Sequence, residues 1–344
     1  MPVVTDNGSL GTELTRFPIH GASSSAPLES RAVQRRSRPW RRGAEHAAAR
    51  LGHRRPRVYL AGTFPALERL AASFEISPSP QNVEAIIAFR TTTVDAAMMD
   101  RAGRALRMVA NFGVGHENID LAAAQTRGII VTTTADLTTA DVAILALGLI
   151  IDALRLISLG DRRIRSGDSS VFEPGLLLGR SLKGATVGIV GGRGHVGSEL
   201  ARLLEACGAS VVIAGRGELN RLIGRVDVLA LTCPLTSSTR HLIDREVLER
   251  LGCGTMIVNV ARGAVIDEAA LVDALEDGAI AGAALDVYEY EPHVSKRLIE
   301  LDNVVLTPHL GAATLESRAV KAEAVCDELE AVLIDTREPA NRVC

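Results

Sequence analysis

The run Gly192-Arg193-Gly194-His195-Val196-Gly197 follows an apolar stretch at 187–190 and leads into a helical pattern over 198–207. A GxGxxG that closes a strand and opens a helix is the fingerprint of a dinucleotide site. Gly192 is read as the tight turn, Gly194 as the point where a pyrophosphate approaches the backbone, and Gly197 as the close contact of helix and strand. His195 and Val196 lie between them, at the helix start, where free N–H groups and the positive helix end hold an anion. The next apolar stretch, 211–214, ends in Gly215-Arg216, where such a site reads the ribose, roughly 20 residues on. No carboxylate stands at that spot and an Arg pairs with a 2′-phosphate, so NADP is expected ahead of NAD. If Arg216 is only a solvated loop residue, NAD is the cofactor. Among the histidines, His309 lies just after the apolar residues 304–306, at the carboxyl edge where open α/β sheets bind ligands; the others are read as structural. The five cysteines (Cys207, Cys233, Cys253, Cys326, Cys344) form no CxxC pair. Neither a metal site nor a disulfide framework is expected, and a reducing cytoplasm fits best.

These residues need a scaffold, and the apolar pattern supplies one. Short strands are expected at 58–61, 74–76, 85–89, 108–112 and 128–131. A second series is expected at 186–190, 211–214, 228–231, 256–259, 281–285 and 304–306. Strands alternating with helices signal βαβ units and a parallel α/β sheet, and nearly all-apolar strands signal helices on both sheet faces. Between the series, 140–164 reads as one long helix able to bridge two domains. Residues 1–56 are Arg-rich, lack Lys and show no apolar period, so they are expected to be a disordered extension.

Composition sets the outer bounds. The chain has 344 residues, 47% hydrophobic and 23% charged, which excludes a largely disordered chain, a collagen and a small disulfide scaffold. The longest apolar run, 142–151, falls short of the about 20 residues a bilayer needs. The net charge is −3 although the first 56 residues are basic, so the body is acidic and neither nucleic acid nor membrane is an expected partner.

Four further ordered stretches are Asn111-Phe112-Gly113-Val114-Gly115-His116-Glu117-Asn118-Ile119-Asp120, Asn259-Val260-Ala261-Arg262-Gly263, Asp286-Val287-Tyr288-Glu289-Tyr290-Glu291-Pro292 and Pro308-His309-Leu310-Gly311. With the glycine loop they make the chain, from about residue 57 onward, resemble the D-isomer-specific 2-hydroxyacid dehydrogenases, within them most closely the glyoxylate/hydroxypyruvate reductases. The resemblance implies a Rossmann-type doubly wound cofactor domain (132–311) and a discontinuous flavodoxin-like substrate domain (57–131 and 312–344), with the active site between them in a homodimer. It implies that Arg262, Glu291 and His309 are catalytic: Arg262 grips a 2-oxo acid, His309 supplies the proton, and Glu291 orients the imidazole and favours its charged form. By the same resemblance the N–H groups of Val114 and Gly115 hold the substrate carboxylate. Asp286 and Gly311 stand near the nicotinamide, and Cys233-Pro234 beside the adenosine. The expected reaction is reduction of a small 2-oxo acid to the D-2-hydroxy acid with NAD(P)H. A catalytically weak, dinucleotide-binding paralogue of corepressor type is the alternative. Four features depart from the family pattern: one extra residue at Gly191-Gly192, a short stretch over 216–225, a first domain shortened between Ile76 and Ala85, and Ile144 where relatives usually place an acid.

Overall fold

The structure is a computed structural model that describes residues 54–215 and 217–344. The expectations for residues 1–53 and for Arg216 lie outside the described residues. Strands β1 (Arg57–Leu60), β2 (Glu75–Ser77), β3 (Ala85–Ala88), β4 (Met108–Asn111) and β5 (Ile130–Thr132) form a parallel sheet in the order β2-β1-β3-β4-β5. That is the flavodoxin-like order, with its topological switch between β1 and β3. Helices α1 (Leu67–Ser73), α2 (Ala96–Ala102) and α3 (Leu121–Thr126) connect the strands. Asp95 and Asp120 start α2 and α3 by accepting the N–H groups of Met98 and Ala123, which satisfies donors that a helix start otherwise leaves free.

The expected single helix over 140–164 is two, α4 (Thr139–Arg155) and α5 (Ile157–Arg165), bent by 62°. Leu156 between them sits at φ 58°, a conformation that cannot continue a right-handed helix. The apolar period runs across the break, so the pattern alone does not reveal it. The second sheet holds β6 (Thr186–Val190), β7 (Ser210–Ala214), β8 (Val228–Leu231), β9 (Met256–Asn259), β10 (Gly282–Leu285) and β11 (Val304–Leu306), all parallel, in the order β11-β10-β9-β8-β6-β7. Among the described residues β7 is an edge strand, because the short 216–225 stretch adds no further strand beyond it. Helices α6 (His195–Ala206), α7 (Arg245–Leu251), α8 (Glu268–Glu276) and α9 (Lys296–Glu300) cover this sheet together with α4. Strands β8, β9 and β10 are buried throughout, as their apolar runs require.

The C-terminal helix α10 (Leu315–Leu333) returns to the first sheet, where Ala322, Val325, Cys326 and Leu329 pack with Val58, Leu70, Phe74 and Met108. Its start is tied to the start of α4: the hydroxyls of Thr314 and Ser317 donate to Asp141 Oδ2 at 2.6 and 2.5 Å. The two carboxyl edges, one from each sheet, therefore meet where α4 and α10 pass between them.

Candidate active site between the sheets

The glycine loop runs from the end of β6 to the start of α6, and its glycines divide the work differently from the expected assignment. The turn residue is Gly191, not Gly192. Gly191 sits at φ 85°, and a Cβ there would lie 2.7 Å from the backbone nitrogen of Cys233 at the end of β8. Gly192 is packing-limited instead, with a would-be Cβ 2.8 Å from Ile213. Gly197 is tighter, 2.5 Å from the Gly191 carbonyl and 2.6 Å from Gly192 Cα. The extra residue is thus absorbed by moving the turn one position towards the strand. At Gly194, the N-cap of α6, only the Gly191 carbonyl comes within 4 Å of a would-be Cβ, at 3.3 Å.

Three glycines therefore serve internal contacts and the fourth leaves open space at a helix start, which suits a pyrophosphate. His195 is exposed at the first turn with Nδ1 3.3 Å from Asp136 Oδ1, while Val196 is half-buried. The Cys233 side chain is buried and burial pushes its thiol pKa up, so its backbone beside Gly191, and not its sulfur, faces the cradle. Pro234 is exposed next to it, its carbonyl accepting from the Thr239 hydroxyl at 2.6 Å.

The end of β7 corrects a second expectation, since a carboxylate does stand there. Glu218 folds back so that its Oε2 accepts the Gly215 N–H at 2.7 Å and meets Arg193 of the glycine loop at 3.2 Å. In the sequence it is hidden because the turn 215–218, closed by Glu218 N–H to the Gly215 carbonyl at 3.1 Å, brings it back to the strand end.

The other motifs converge across the cleft. His309 Nδ1 lies 3.1 and 3.0 Å from the two Glu291 carboxylate oxygens. Its backbone is left-handed at φ 58°, costly for a residue with a side chain and held only where surroundings enforce it. Asp286 does the enforcing: it is buried, Oδ1 accepts from Thr307 Oγ1 at 2.6 Å and Leu310 N–H at 2.7 Å, and Oδ2 from Gly311 N–H at 2.9 Å. Both Asp286 and Gly311 thereby shape the turn carrying the imidazole. Arg262 donates through Nε to Glu117 Oε1 at 2.9 Å and through Nη1 to the Ala261 carbonyl at 2.7 Å. Its guanidinium lies against Gly115, where any Cβ would collide with it, and Gly263 beside it is pressed on the Tyr288 carbonyl. Asn111 fixes the loop that carries exposed Val114 and Gly115 by donating to the carbonyls of Gly113 and Gly115 at 3.1 and 2.8 Å.

Two residues that sequence reasoning did not single out complete the site. Arg90, two residues beyond β3, forms an ion pair with Glu291 across the cleft, and Glu117 braces Arg262. Their signal was positional: one follows a strand at its carboxyl end and the other lies inside the 111–120 motif. Arg90 also alters the electrostatics. Burial, Arg90 and Arg262 outweigh Asp286 and Glu117 and pull the His309 pKa down from 6.5 to about 4. The expectation that Glu291 keeps the imidazole charged does not hold in the free site, because Glu291 is shared with Arg90 and with the Tyr288 N–H at 3.1 Å.

Known proteins resemble this chain in both sequence and fold. The family described as D-isomer specific 2-hydroxyacid dehydrogenase, NAD binding domain, matches residues 147–311. Glyoxylate/hydroxypyruvate reductase A of Arabidopsis thaliana is 38% identical over 261 residues, covering 73% of this chain and 82% of the relative. Glyoxylate reductase of Pyrococcus furiosus is 37% identical over 267 residues, covering 72% and 79%. The crystal structure of the NADPH-dependent glyoxylate/hydroxypyruvate reductase of Sinorhizobium meliloti, in complex with NADP and malonate, superposes with TM-score 0.76 at 36% identity over 85% of this chain and 97% of that one. With Arg262, Glu291 and His309 assembled beside a dinucleotide cradle, the chain belongs to the D-isomer-specific 2-hydroxyacid dehydrogenases, oxidoreductases that depend on a nicotinamide dinucleotide.

Proposed function

We propose that this enzyme reduces small 2-oxo acids, glyoxylate or hydroxypyruvate foremost, to the D-2-hydroxy acids, with NADPH preferred over NADH. The observation that carries the reading is the convergence of a guanidinium, Arg262, and a carboxylate-bound imidazole, His309, on one cleft. When bound, the reduced dinucleotide supplies the hydride for the carbonyl carbon. The chain's residues do the rest. Arg262, braced by Glu117 and the Ala261 carbonyl, offers its remaining donors to the substrate carboxylate and carbonyl, a fork that suits two oxygens at once. The N–H groups of Val114 and Gly115 hold the same carboxylate from the facing loop. An anionic substrate offsets the two guanidiniums that depress the His309 pKa, so imidazolium is favoured once substrate is in place. His309 then donates its proton to the developing alkoxide, held in line by Glu291 through Nδ1.

The first sheet with α10 is read as the substrate domain and the second sheet as the cofactor domain, closing on the substrate and excluding water. Arg193 and Arg221 at the end of β7, and the NADPH dependence of the Sinorhizobium meliloti relative, support NADPH. A homodimer is supported by the segment after α4, where Ile157, Ile164, Phe172, Leu176 and Leu178 are all at least half exposed, more apolar surface than a lone subunit ordinarily leaves to water. The five cysteines are unpaired, in keeping with a cytoplasmic setting.

A panel of 2-oxo acids assayed with NADPH and NADH at the nicotinamide absorbance band tests the function. Turnover of glyoxylate or hydroxypyruvate supports it. Dinucleotide binding without turnover of any acid overturns it in favour of a corepressor-like binding protein.

A further inference from the structure

The end of β7 carries three charged side chains locked together over a bare backbone. Glu218 Oε2 accepts the Gly215 N–H at 2.7 Å and lies 3.2 Å from Arg193 Nη2, and its Oε1 lies 3.3 Å from Arg221 Nη1. Gly215 has no room for a side chain, because a Cβ there would strike the Arg193 guanidinium and come within 3.1 Å of Glu218 Oε2. In an open doubly wound sheet this strand end is where the adenosine ribose sits, and a carboxylate there takes the free 2′-hydroxyl.

We propose that Glu218 is a specificity-determining residue of the cofactor site, setting the balance between a ribose 2′-hydroxyl and a ribose 2′-phosphate. The inference rests on the reading of this strand end as the ribose subsite, and Glu218 acts there against the NADPH preference that Arg193 and Arg221 support. Glu218 acts in two ways. Its carboxylate is an acceptor for a 2′-hydroxyl, and it occupies the Arg193 and Arg221 guanidiniums that a 2′-phosphate needs. Among the described residues, a phosphate that draws on Arg193 or Arg221 must compete with Glu218 for them, and a neutral residue at 218 frees both arginines. The side chain is held negative by the Gly215 N–H and by Arg193, which depress its pKa, so the competition persists at neutral pH. Arg193 is the counterpart: it reaches across from the glycine loop, so the inserted residue of that loop and the ribose end of the site are coupled through one guanidinium.

The test uses the full chain with two dinucleotide fragments, 2′,5′-ADP and 5′-AMP, titrated by calorimetry into the parent, Glu218→Gln and Arg193→Met. Gln keeps the shape and can still accept from the Gly215 N–H, and the melting temperature of each variant checks folding. Glu218→Gln should tighten 2′,5′-ADP relative to 5′-AMP by about tenfold, the equivalent of about 1.4 kcal/mol. Arg193→Met should weaken 2′,5′-ADP relative to 5′-AMP by a similar factor. The NADPH-to-NADH ratio of kcat/KM should shift in the same directions. An unchanged fragment ratio in Glu218→Gln, or a shift towards 5′-AMP, overturns the proposal. The parent's own preference is separate: an NADH-preferring parent whose ratio still moves on Glu218→Gln would refute the NADPH reading and leave the role of Glu218 standing.

Discussion

Replacing Arg90 with Met should move the titration of His309 upward, because Arg90 acts on the imidazole twice. It is the largest of the charges that oppose protonation, after burial itself, and it occupies the Glu291 carboxylate that would otherwise favour the imidazolium. Both side chains bind the same Glu291 oxygen, so their charges lie within about 5 Å of each other, where a unit charge at an effective dielectric of about 20 contributes about 3 kcal/mol, and one pKa unit is about 1.4 kcal/mol. The Arg90 side chain is 54% exposed, so solvent screens part of this and the expected rise is about one unit. Removing a cation must raise the pKa of a group that becomes a cation. The assay is oxidation of the D-2-hydroxy acid, in which His309 must be neutral to accept the proton. There kcat/KM climbs with pH through the free-enzyme pKa and then levels. In the parent the limb should lie near the His309 pKa of about 4, with a flat profile at neutral pH, and in Arg90→Met it should lie about one unit higher. Using one substrate for both proteins cancels the substrate's own titration. A limb that stays in place or moves to lower pH refutes the electrostatic account of the site.

Arg262→Lys should raise KM and lower kcat together, by about tenfold to a hundredfold in kcat/KM, since a point charge cannot serve Glu117, the Ala261 carbonyl and two substrate oxygens at once; steady-state kinetics with glyoxylate read it directly. Gly197→Ala places a methyl 2.5 Å from the Gly191 carbonyl and 2.7 Å from Thr232 Oγ1, so it should cost about 1–3 kcal/mol of stability and weaken dinucleotide binding, measured by denaturant unfolding and calorimetry. Phe172→Asp, at a side chain 78% exposed, should convert dimer to monomer in sedimentation if the segment after α4 is the dimer contact.

Most of the scaffold was legible because the strands are short apolar runs bounded by turn residues: 186–190, 228–231, 256–259 and 304–306 coincide with β6, β8, β9 and β11. The break at Leu156 was not, since the apolar pattern continues across it and only the backbone angle reveals the bend. The site divides in the same way. Arg262, Glu291 and His309 sit in dense motifs, and the structure brings them to one cleft. Arg90 was missed because its meaning comes from the opposite sheet, across 201 residues of chain. Glu218 was missed because a turn of three residues returns it to Gly215, and linear spacing places it past the strand end. The glycine loop shows the limit of motif reading: GxGxxG marks the place, whereas the contact with Cys233 determines that Gly191 makes the turn.

The proton step at His309 is the centre of the account, and His309→Gln tests it most directly. Positioned proton transfer is worth about 10²–10⁴-fold, and Gln keeps a polar side chain near Glu291 without a group that titrates. Turnover of glyoxylate with NADPH at saturating concentrations should fall at least about 10²-fold, while the dinucleotide dissociation constant stays at the parent value. A His309→Gln enzyme that turns over within a few-fold of the parent would contradict the assignment of His309 as the proton donor.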